Sequence, residues 1–177
     1  VVRIDHFRGF ESYWEIPAEN ETAVEGRWMP GPGEHFFRTL ARELGSLPVI
    51  AEDLGIITEE VEALRDDLEL PGMRVLQFAF DGDARNPHRP ENHPRRSIGY
   101  TGTHDNDTLM GWWDSLKGED RERVIEWLGE EAPDQWRLIE AVYASDADLV
   151  IVPLQDLLGL GTEARMNTPG VATANWT

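Results

Sequence analysis

A short apolar segment that ends in polar or acidic residues, followed by a helical pattern, recurs along this chain and restricts its fold more than any other feature. Continuous apolar runs of this length are typical of strands buried on both faces of a parallel sheet. Parallel strands joined by helices require right-handed crossovers, so the repeat predicts an α/β fold. The predicted strands lie within residues 1–5, 47–55, 73–80, 97–107 and 148–156.

Between the strands, the apolar spacing predicts helices at 35–44, 59–68, 108–116, 119–129 and 133–144. We expect one face of the first helix, formed by Phe36, Phe37, Leu40 and Leu44, to be core, and the four tryptophans of the last three helices to serve packing. The proline and glycine content of residues 11–34 predicts a long irregular loop. The aromatic residues of that loop, Tyr13, Trp14 and Trp28, argue against disorder.

Composition narrows the classes of partner. The 177 residues carry a formal net charge of −18, which argues against nucleic acid or an anionic membrane as a partner. A neutral substrate is compatible with this charge. The chain has no cysteine, and no run is long and apolar enough to span a bilayer.

The polar strand ends also select among α/β folds. The chain has no Gly-rich phosphate-binding turn, so a nucleotide-binding doubly wound sheet is disfavoured. Polar residues at the carboxyl ends of strands fit a (β/α)8 TIM barrel, whose chemistry lies on that rim. Five strands would be its second half, from the fourth strand to the eighth, with residues 1–177 as a partial catalytic domain.

The chain begins inside a predicted strand without an initiator methionine and ends without an obvious stop, so we expect a fragment of a longer protein. Half a barrel leaves two open sheet edges. We therefore expect these residues alone to be inactive or poorly soluble.

Three strand ends carry acids: Asp5, one of the pair Glu52 and Asp53, and one of the pair Asp105 and Asp107. If they share one rim, they provide the equipment of a retaining glycosidase, which needs two carboxyl groups about 5 to 5.5 Å apart. Each acid alone is explained more simply as a structural ion pair or a helix cap. Three acids at successive strand ends are harder to explain as coincidence.

The residue types suggest roles for these acids. Arg3 and Asp5 lie on the same face of the first strand, so the guanidinium should keep Asp5 ionised and nucleophilic. Glu52 has a longer reach and suits the proton donor and base. Asp105 would bind sugar hydroxyls, with His104 and Arg3 as further donors. A metal site of His104, Asp105 and the nearby Asp107 is an alternative, although further histidines at ligand spacing are absent.

Six motifs follow one another along the chain: Arg3-Ile-Asp-His-Phe-Arg-Gly-Phe, Val49-Ile-Ala-Glu-Asp-Leu-Gly, Tyr100-Thr-Gly-Thr-His-Asp-Asn-Asp-Thr, Gln155-Asp-Leu-Leu-Gly-Leu-Gly, Arg165-Met-Asn-Thr-Pro-Gly and Asn175-Trp. In these motifs and in their order, the chain resembles the amylomaltase family, the 4-α-glucanotransferases, over essentially its whole length. One small departure is Ala174, where the family has glycine before Asn-Trp.

This resemblance implies disproportionation of α-1,4-glucans by a retaining double displacement, with maltooligosaccharides as partners, no cofactor or metal, and a cytoplasmic location. The nucleophile would be Asp5, the acid/base Glu52 and the transition-state stabiliser Asp105. The expected substrate-binding residues are Arg3, His104, Asn106 and Trp14.

Three alternatives belong to other classes. A plain α-glucan hydrolase would give only shorter products from maltotriose, whereas a transferase gives longer ones as well. A non-catalytic glucan-binding module would use the aromatics of residues 11–34, and Asp5→Ala would leave its affinity little changed. A metal-dependent hydrolase would lose its activity to a chelator.

Overall fold

The computed structural model describes residues 1–45, 48–173 and 175–176. Leu47, the predicted start of the second strand, and Ala174 lie outside these residues. The chain falls into two compact units, residues 1–73 and 74–177, which are described separately. No helix in the described part is long and apolar enough to cross a membrane.

Seven strands and six α-helices make up the regular structure of the described residues, and their bounds are as follows. The strands are β1 Val2–Ile4, β2 Ser12–Glu15, β3 Arg27–Pro30, β4 Val49–Ala51, β5 Gly72–Val75, β6 Ser97–Tyr100 and β7 Leu149–Ile151. The helices are α1 Gly33–Leu44, α2 Glu59–Asp67, α3 Leu109–Ser115, α4 Gly118–Leu128, α5 Gln135–Tyr143 and α6 Leu154–Leu157.

In the first unit, β1 and β4 pair in parallel, with Ile4 opposite Ala51. All of β4 is buried, as its apolar sequence predicts. Helices α1 and α2 contribute Phe37 and Val61 to one buried cluster, which also contains Phe7 and Ala51. The predicted parallel pairing of these strands is confirmed, and the pairing fixes where the chain emerges after each strand.

The prediction that residues 11–34 form an irregular loop is wrong. Strands β2 and β3 pair antiparallel over four residue pairs, with Trp14 opposite Trp28. Aromatic pairs across two strands stabilise a hairpin, and an ion pair between Arg27 and Glu15 adds to this one. The prolines and glycines lie mostly between and after the strands, where they do not interrupt pairing.

Helix α1 begins two residues earlier than predicted, at Gly33, and ends as predicted at Leu44. Phe37 is buried, as expected for a core face. Leu44, however, is 68% exposed, so the prediction that it is part of the core is wrong. It occupies the last turn, beyond the buried part of the helix.

In the second unit, β6 pairs in parallel with β7, with Gly99 opposite Val150, and the sheet order is β5-β6-β7. The core is formed mainly by α3, α4 and α5. Trp113 is buried there, which confirms the packing role predicted for it. Trp136 is 53% exposed, so the same prediction is wrong for that residue.

All five predicted strands are shorter in the structure, and two of them are followed by helical turns where strand was predicted. After β5 the backbone tightens into a 3-10 turn at Leu76–Phe78. After β7, Pro153 precedes helix α6, so Gln155 and Asp156 lie on a helix rather than at a strand end. Proline lacks an N–H and is disfavoured inside a sheet, but it is tolerated at the start of a helix.

Candidate active site

Asp5 follows the last residue of β1, and its side chain is 74% exposed. Arg3 Nη2 donates to Asp5 Oδ1 over 3.0 Å, so the two side chains meet on one face of the strand. The Arg3 side chain is more enclosed than the carboxylate that it contacts. The result is an exposed carboxylate with a cation fixed beside it.

Glu52 follows β4 and makes three hydrogen bonds to backbone groups of residues on either side of Asp5. Its N–H donates to the carbonyl of Ile4 over 3.0 Å, and its carbonyl accepts from the N–H of Phe7 over 3.0 Å. Its Oε2 accepts from the N–H of His6 over 2.6 Å. Neighbouring strands lie about 4.8 Å apart, so this pairing brings Asp5 and Glu52 side by side.

Both carboxylate oxygens of Glu52 accept backbone hydrogen bonds, because Oε1 also accepts from the N–H of Leu54 over 3.0 Å. His6 has a left-handed backbone, with φ of 51°. A carboxylic acid uses one oxygen as a donor. That oxygen keeps a second lone pair for its backbone N–H, so Glu52 can donate a proton while both contacts remain in place.

Asp53, the other predicted acid at this strand end, has a structural role. Its side chain is only 2% exposed, and its oxygens contact Arg65 Nη1 and the N–H of Met73, each over 2.6 Å. Gly72 lies so close that a Cβ there would collide with the Asp53 carboxylate. Of the two acids, Glu52 is therefore the one that can reach a substrate.

The second unit holds Asp105, His104 and Asn106, in the segment between β6 and α3. The Asp105 side chain is 47% exposed, and its Oδ2 lies 3.2 Å from His104 Nε2. Its Oδ1 accepts from Asn167 Nδ2 over 2.5 Å, and its backbone carbonyl accepts from Arg165 Nη2 over 2.7 Å. Asp105 is thus contacted from both its own loop and a later segment.

The neighbouring polar side chains stabilise the loop itself. Asn106 Oδ1 accepts from both the N–H and the hydroxyl of Thr103, each over 2.8 Å. Asp107 Oδ2 accepts from the Thr162 hydroxyl over 2.8 Å. Asp107 is therefore engaged in holding the loop, while Asp105 is the more accessible of the two acids.

Trp14, a predicted substrate-binding residue, lies on the β2–β3 hairpin. Its ring contacts that of Trp28 edge to face at 5.4 Å between centroids, and its Nε1 donates to the carbonyl of Ala23 over 2.9 Å. The Arg8 guanidinium lies 4.5 Å from the centre of the Trp28 ring. Both indoles are partly exposed, so the hairpin presents an aromatic surface.

Within residues 1–45, 48–173 and 175–176, no group of three or more His, Asp or Glu side chains is arranged to hold a metal ion. His104, Asp105 and Asp107 therefore do not form such a group.

Comparison with known proteins identifies the family. The model of the 4-alpha-glucanotransferase family matches residues 1–177. This chain belongs to the 4-alpha-glucanotransferase family. A 4-alpha-glucanotransferase of Synechocystis is 53% identical over 180 residues, covering 99% of this chain and 36% of that protein. A chloroplastic/amyloplastic 4-alpha-glucanotransferase of Solanum tuberosum is 50% identical over 176 residues, covering 98% and 31%.

Among solved structures, an amylomaltase from Streptococcus agalactiae in complex with acarbose matches with a TM-score of 0.92 at 37% identity, covering 98% of this chain and 36% of that one. The resemblance stated from the motifs is therefore confirmed. The chain spans about a third of the length of the 4-alpha-glucanotransferases that it matches.

The sequence indicated that Arg165 and Asn167 are available for contacts, and both belong to a motif shared with the 4-alpha-glucanotransferase family, but it assigned them no partner. They lie in a stretch without regular periodicity, about 60 residues after Asp105. Apart from the shared motif, the signal was an arginine and an amide close together in a polar segment. Such a signal does not name the residue that they contact.

Proposed function

We propose that the protein is a 4-α-glucanotransferase that moves segments of α-1,4-glucan between maltooligosaccharides with retention at the anomeric carbon. The observation that carries the proposal is the side-by-side position of Asp5 and Glu52 after two adjacent parallel strands. Two carboxyl groups about 5 to 5.5 Å apart are what a retaining mechanism uses. Membership of the 4-alpha-glucanotransferase family supports this assignment.

In the first step, the Asp5 carboxylate attacks the anomeric carbon while Glu52 protonates the departing glycosidic oxygen. A covalent β-glucosyl ester forms on Asp5, and the shortened glucan leaves with a new hydroxyl group. In the second step, Glu52 removes the proton of an incoming 4-hydroxyl group, which attacks the ester and restores Asp5. Two inversions at one carbon give net retention.

Other residues are proposed to assist this exchange. Asp105 binds sugar hydroxyls and stabilises the positive charge that develops on the ring in the transition state. Arg3 and His104 donate hydrogen bonds, and Asn106 and Trp14 complete the substrate contacts. The exposed indole of Trp14 suits the apolar face of a sugar ring.

We also propose that residues 1–177 are the second half of a catalytic (β/α)8 barrel. Support comes from the two parallel strand pairs and from the likeness to amylomaltase over about a third of its chain. We propose a cytoplasmic location, although the Solanum tuberosum relative is named as a chloroplastic/amyloplastic protein.

Incubation of the full-length protein with maltotriose tests the function. Transfer gives both longer and shorter oligosaccharides, and we expect Asp5→Asn to remove both. The matched control is Asp83→Asn, because Asp83 also pairs with an arginine two residues away, Arg85, over 3.2 Å. Products that are only shorter would indicate a hydrolase. Transfer that persists in Asp5→Asn would refute the proposed mechanism.

A further inference from the structure

The immediate contacts of Asp105 come largely from a segment much later in the sequence. Asn167, 62 residues away, donates from Nδ2 to Asp105 Oδ1 over 2.5 Å. Arg165 Nη2 donates to the Asp105 carbonyl over 2.7 Å. One residue of this later segment therefore contacts the carboxylate, and another contacts the backbone of the same residue.

The later segment has internal hydrogen bonds that make it a firm support. Arg165 Nε donates to the carbonyl of Asn167 over 2.8 Å, so the two contacting residues are tied to each other. The N–H of Trp176 donates to the carbonyl of Met166 over 2.8 Å. Asn175 Oδ1 accepts from the N–H of Thr168 over 3.0 Å. We call residues 165–168 with 175–176 the supporting segment.

The supporting segment also reaches the other side of the carboxylate. His104 Nε2 lies 3.2 Å from Asp105 Oδ2. The ring of Trp176 stacks on the ring of His104, with centroids 5.3 Å apart and planes inclined by 32°. Each oxygen of Asp105 is thus contacted either by this segment or by a histidine that stacks on it.

We propose that Asn167 is a positioning residue, which fixes the orientation of the Asp105 carboxylate for the transition state. This inference rests on the proposed function. A carboxylate turns readily about its two side-chain torsions, and displacing a catalytic group by about 1 Å can cost about 100-fold in rate. A carboxylate has about four lone-pair sites, so Asp105 keeps acceptors for sugar hydroxyls after binding Asn167 and His104.

The decisive variant is Asn167→Asp in the full-length protein, because it nearly preserves shape and removes the donor. Near pH 7.5 we expect kcat for maltotriose transfer to fall about 100-fold, with KM changed less than about 3-fold. The new carboxylate repels Asp105, which among the described residues also contacts His104 with its carboxylate and Arg165 with its backbone carbonyl. At lower pH the two carboxyls share a proton, which restores a donor. The activity relative to wild type should therefore recover towards pH 5.

Two further variants separate positioning from folding. Asn167→Ala removes the donor without adding charge, so we expect a lower kcat at every pH and no recovery in acid. Asn92→Asp is the matched control, because Asn92 Nδ2 donates to the carbonyls of Ala84 and Asn86 in another loop of the same unit. We expect it to retain wild-type kcat. The melting temperature of each variant is measured alongside.

The inference is overturned if both Asn167 variants keep kcat within about 3-fold of wild type while Asp5→Asn abolishes transfer. It is also overturned if Asn167→Asp loses activity without recovery at low pH and melts in step with that loss, because the residue would then be merely structural. If the wild-type protein makes no transfer products that depend on Asp5, the proposed function fails first, and the inference fails with it.

Discussion

The two units hold their candidate acids in different ways. In the first unit, the pairing of β1 with β4 sets Asp5 beside Glu52, and backbone N–H groups contact the Glu52 carboxylate. In the second unit, Asp105 is contacted by the side chains of Asn167 and Arg165. A position set by strand register depends little on surrounding side chains, whereas a position set by side chains is lost when one of them changes.

The same contrast appears in two buried acids. Asp53 in the first unit has a cationic partner, Arg65. Asp156 in the second unit is 1% exposed and accepts from neutral donors, the Thr101 hydroxyl over 2.5 Å and the N–H of Leu109 over 2.7 Å. Burial raises the pKa of the Asp156 carboxyl, while these two hydrogen bonds oppose that rise and nearby Asp107 adds to it. A buried carboxylate is costly without a cation, so Asp156 should respond to pH.

The largest expected effect concerns the first unit. Glu52→Gln should slow transfer from maltotriose about 1000-fold, because the leaving oxygen loses its proton donor. A maltosyl fluoride donor needs no protonation, so the initial burst of fluoride should be nearly preserved, followed by slow turnover because the base is missing. Stopped-flow fluoride release measures both phases. Equal losses in the burst and with maltotriose would contradict the acid/base role.

The next largest effect is expected for Asp53, the buried acid that pairs with Arg65. Asp53→Asn should reduce the free energy of unfolding by about 3 kcal/mol, because it leaves Arg65 buried without its enclosed partner. The matched control is Asp66→Asn, since Asp66 contacts the same guanidinium at 2.8 Å from a far more exposed position. Its cost should be under about 1 kcal/mol. Urea denaturation of the full-length variants gives both values. Similar losses of stability in the two variants would contradict the difference expected between the buried and the exposed partner of Arg65.

A smaller effect on stability, which depends on pH, is expected for Asp156, the buried acid that accepts from neutral donors. Its raised pKa means that Asp156 contributes most stability below its ordinary pKa of 3.8, and loses that contribution as pH rises through the folded-state pKa. The stability advantage of wild type over Asp156→Asn should therefore shrink as pH rises. Urea denaturation between pH 4 and pH 7 measures this difference. An advantage that grows with pH would contradict the assignment.

The smallest effect involves His93, also in the second unit. Burial lowers the pKa of its imidazole, with Arg74 adding to this effect, while its hydrogen bond to His88 and the charge of Glu91 oppose it. Its stabilising contribution is therefore present above its ordinary pKa of 6.5 and lost as pH falls through the folded-state pKa. The melting temperature should fall on acidification, and less so in His93→Gln. An equal fall in both proteins would contradict this role.

The sequence predicted the parts of the molecule that depend on local pattern. Apolar segments with polar ends indicated the parallel pairing of β1 with β4, and alternation indicated that Arg3 and Asp5 share a face. The longer reach of Glu52 favoured it over Asp53, but the structural role of Asp53 could not be predicted, because it depends on Arg65 and Met73 from later elements.

Contacts between distant or irregular segments were beyond prediction. The β2–β3 hairpin depends on a pairing between Trp14 and Trp28 that no short repeat marks. The support of Asp105 by Asn167 joins two stretches that lack periodicity. Such contacts are fixed by how the chain packs in three dimensions, to which hydrophobic spacing is insensitive.

The long separation between Asp105 and Asn167 has a consequence for synthesis. A ribosome adds residues in order at roughly 5 to 20 per second, so the loop that carries Asp105 leaves the exit tunnel several seconds before its partner. During that interval a nascent chain can already pair β1 with β4, yet it cannot complete the surroundings of Asp105. During translation, Asp5 and Glu52 can therefore reach their final positions first, and Asp105 gains its final contacts last.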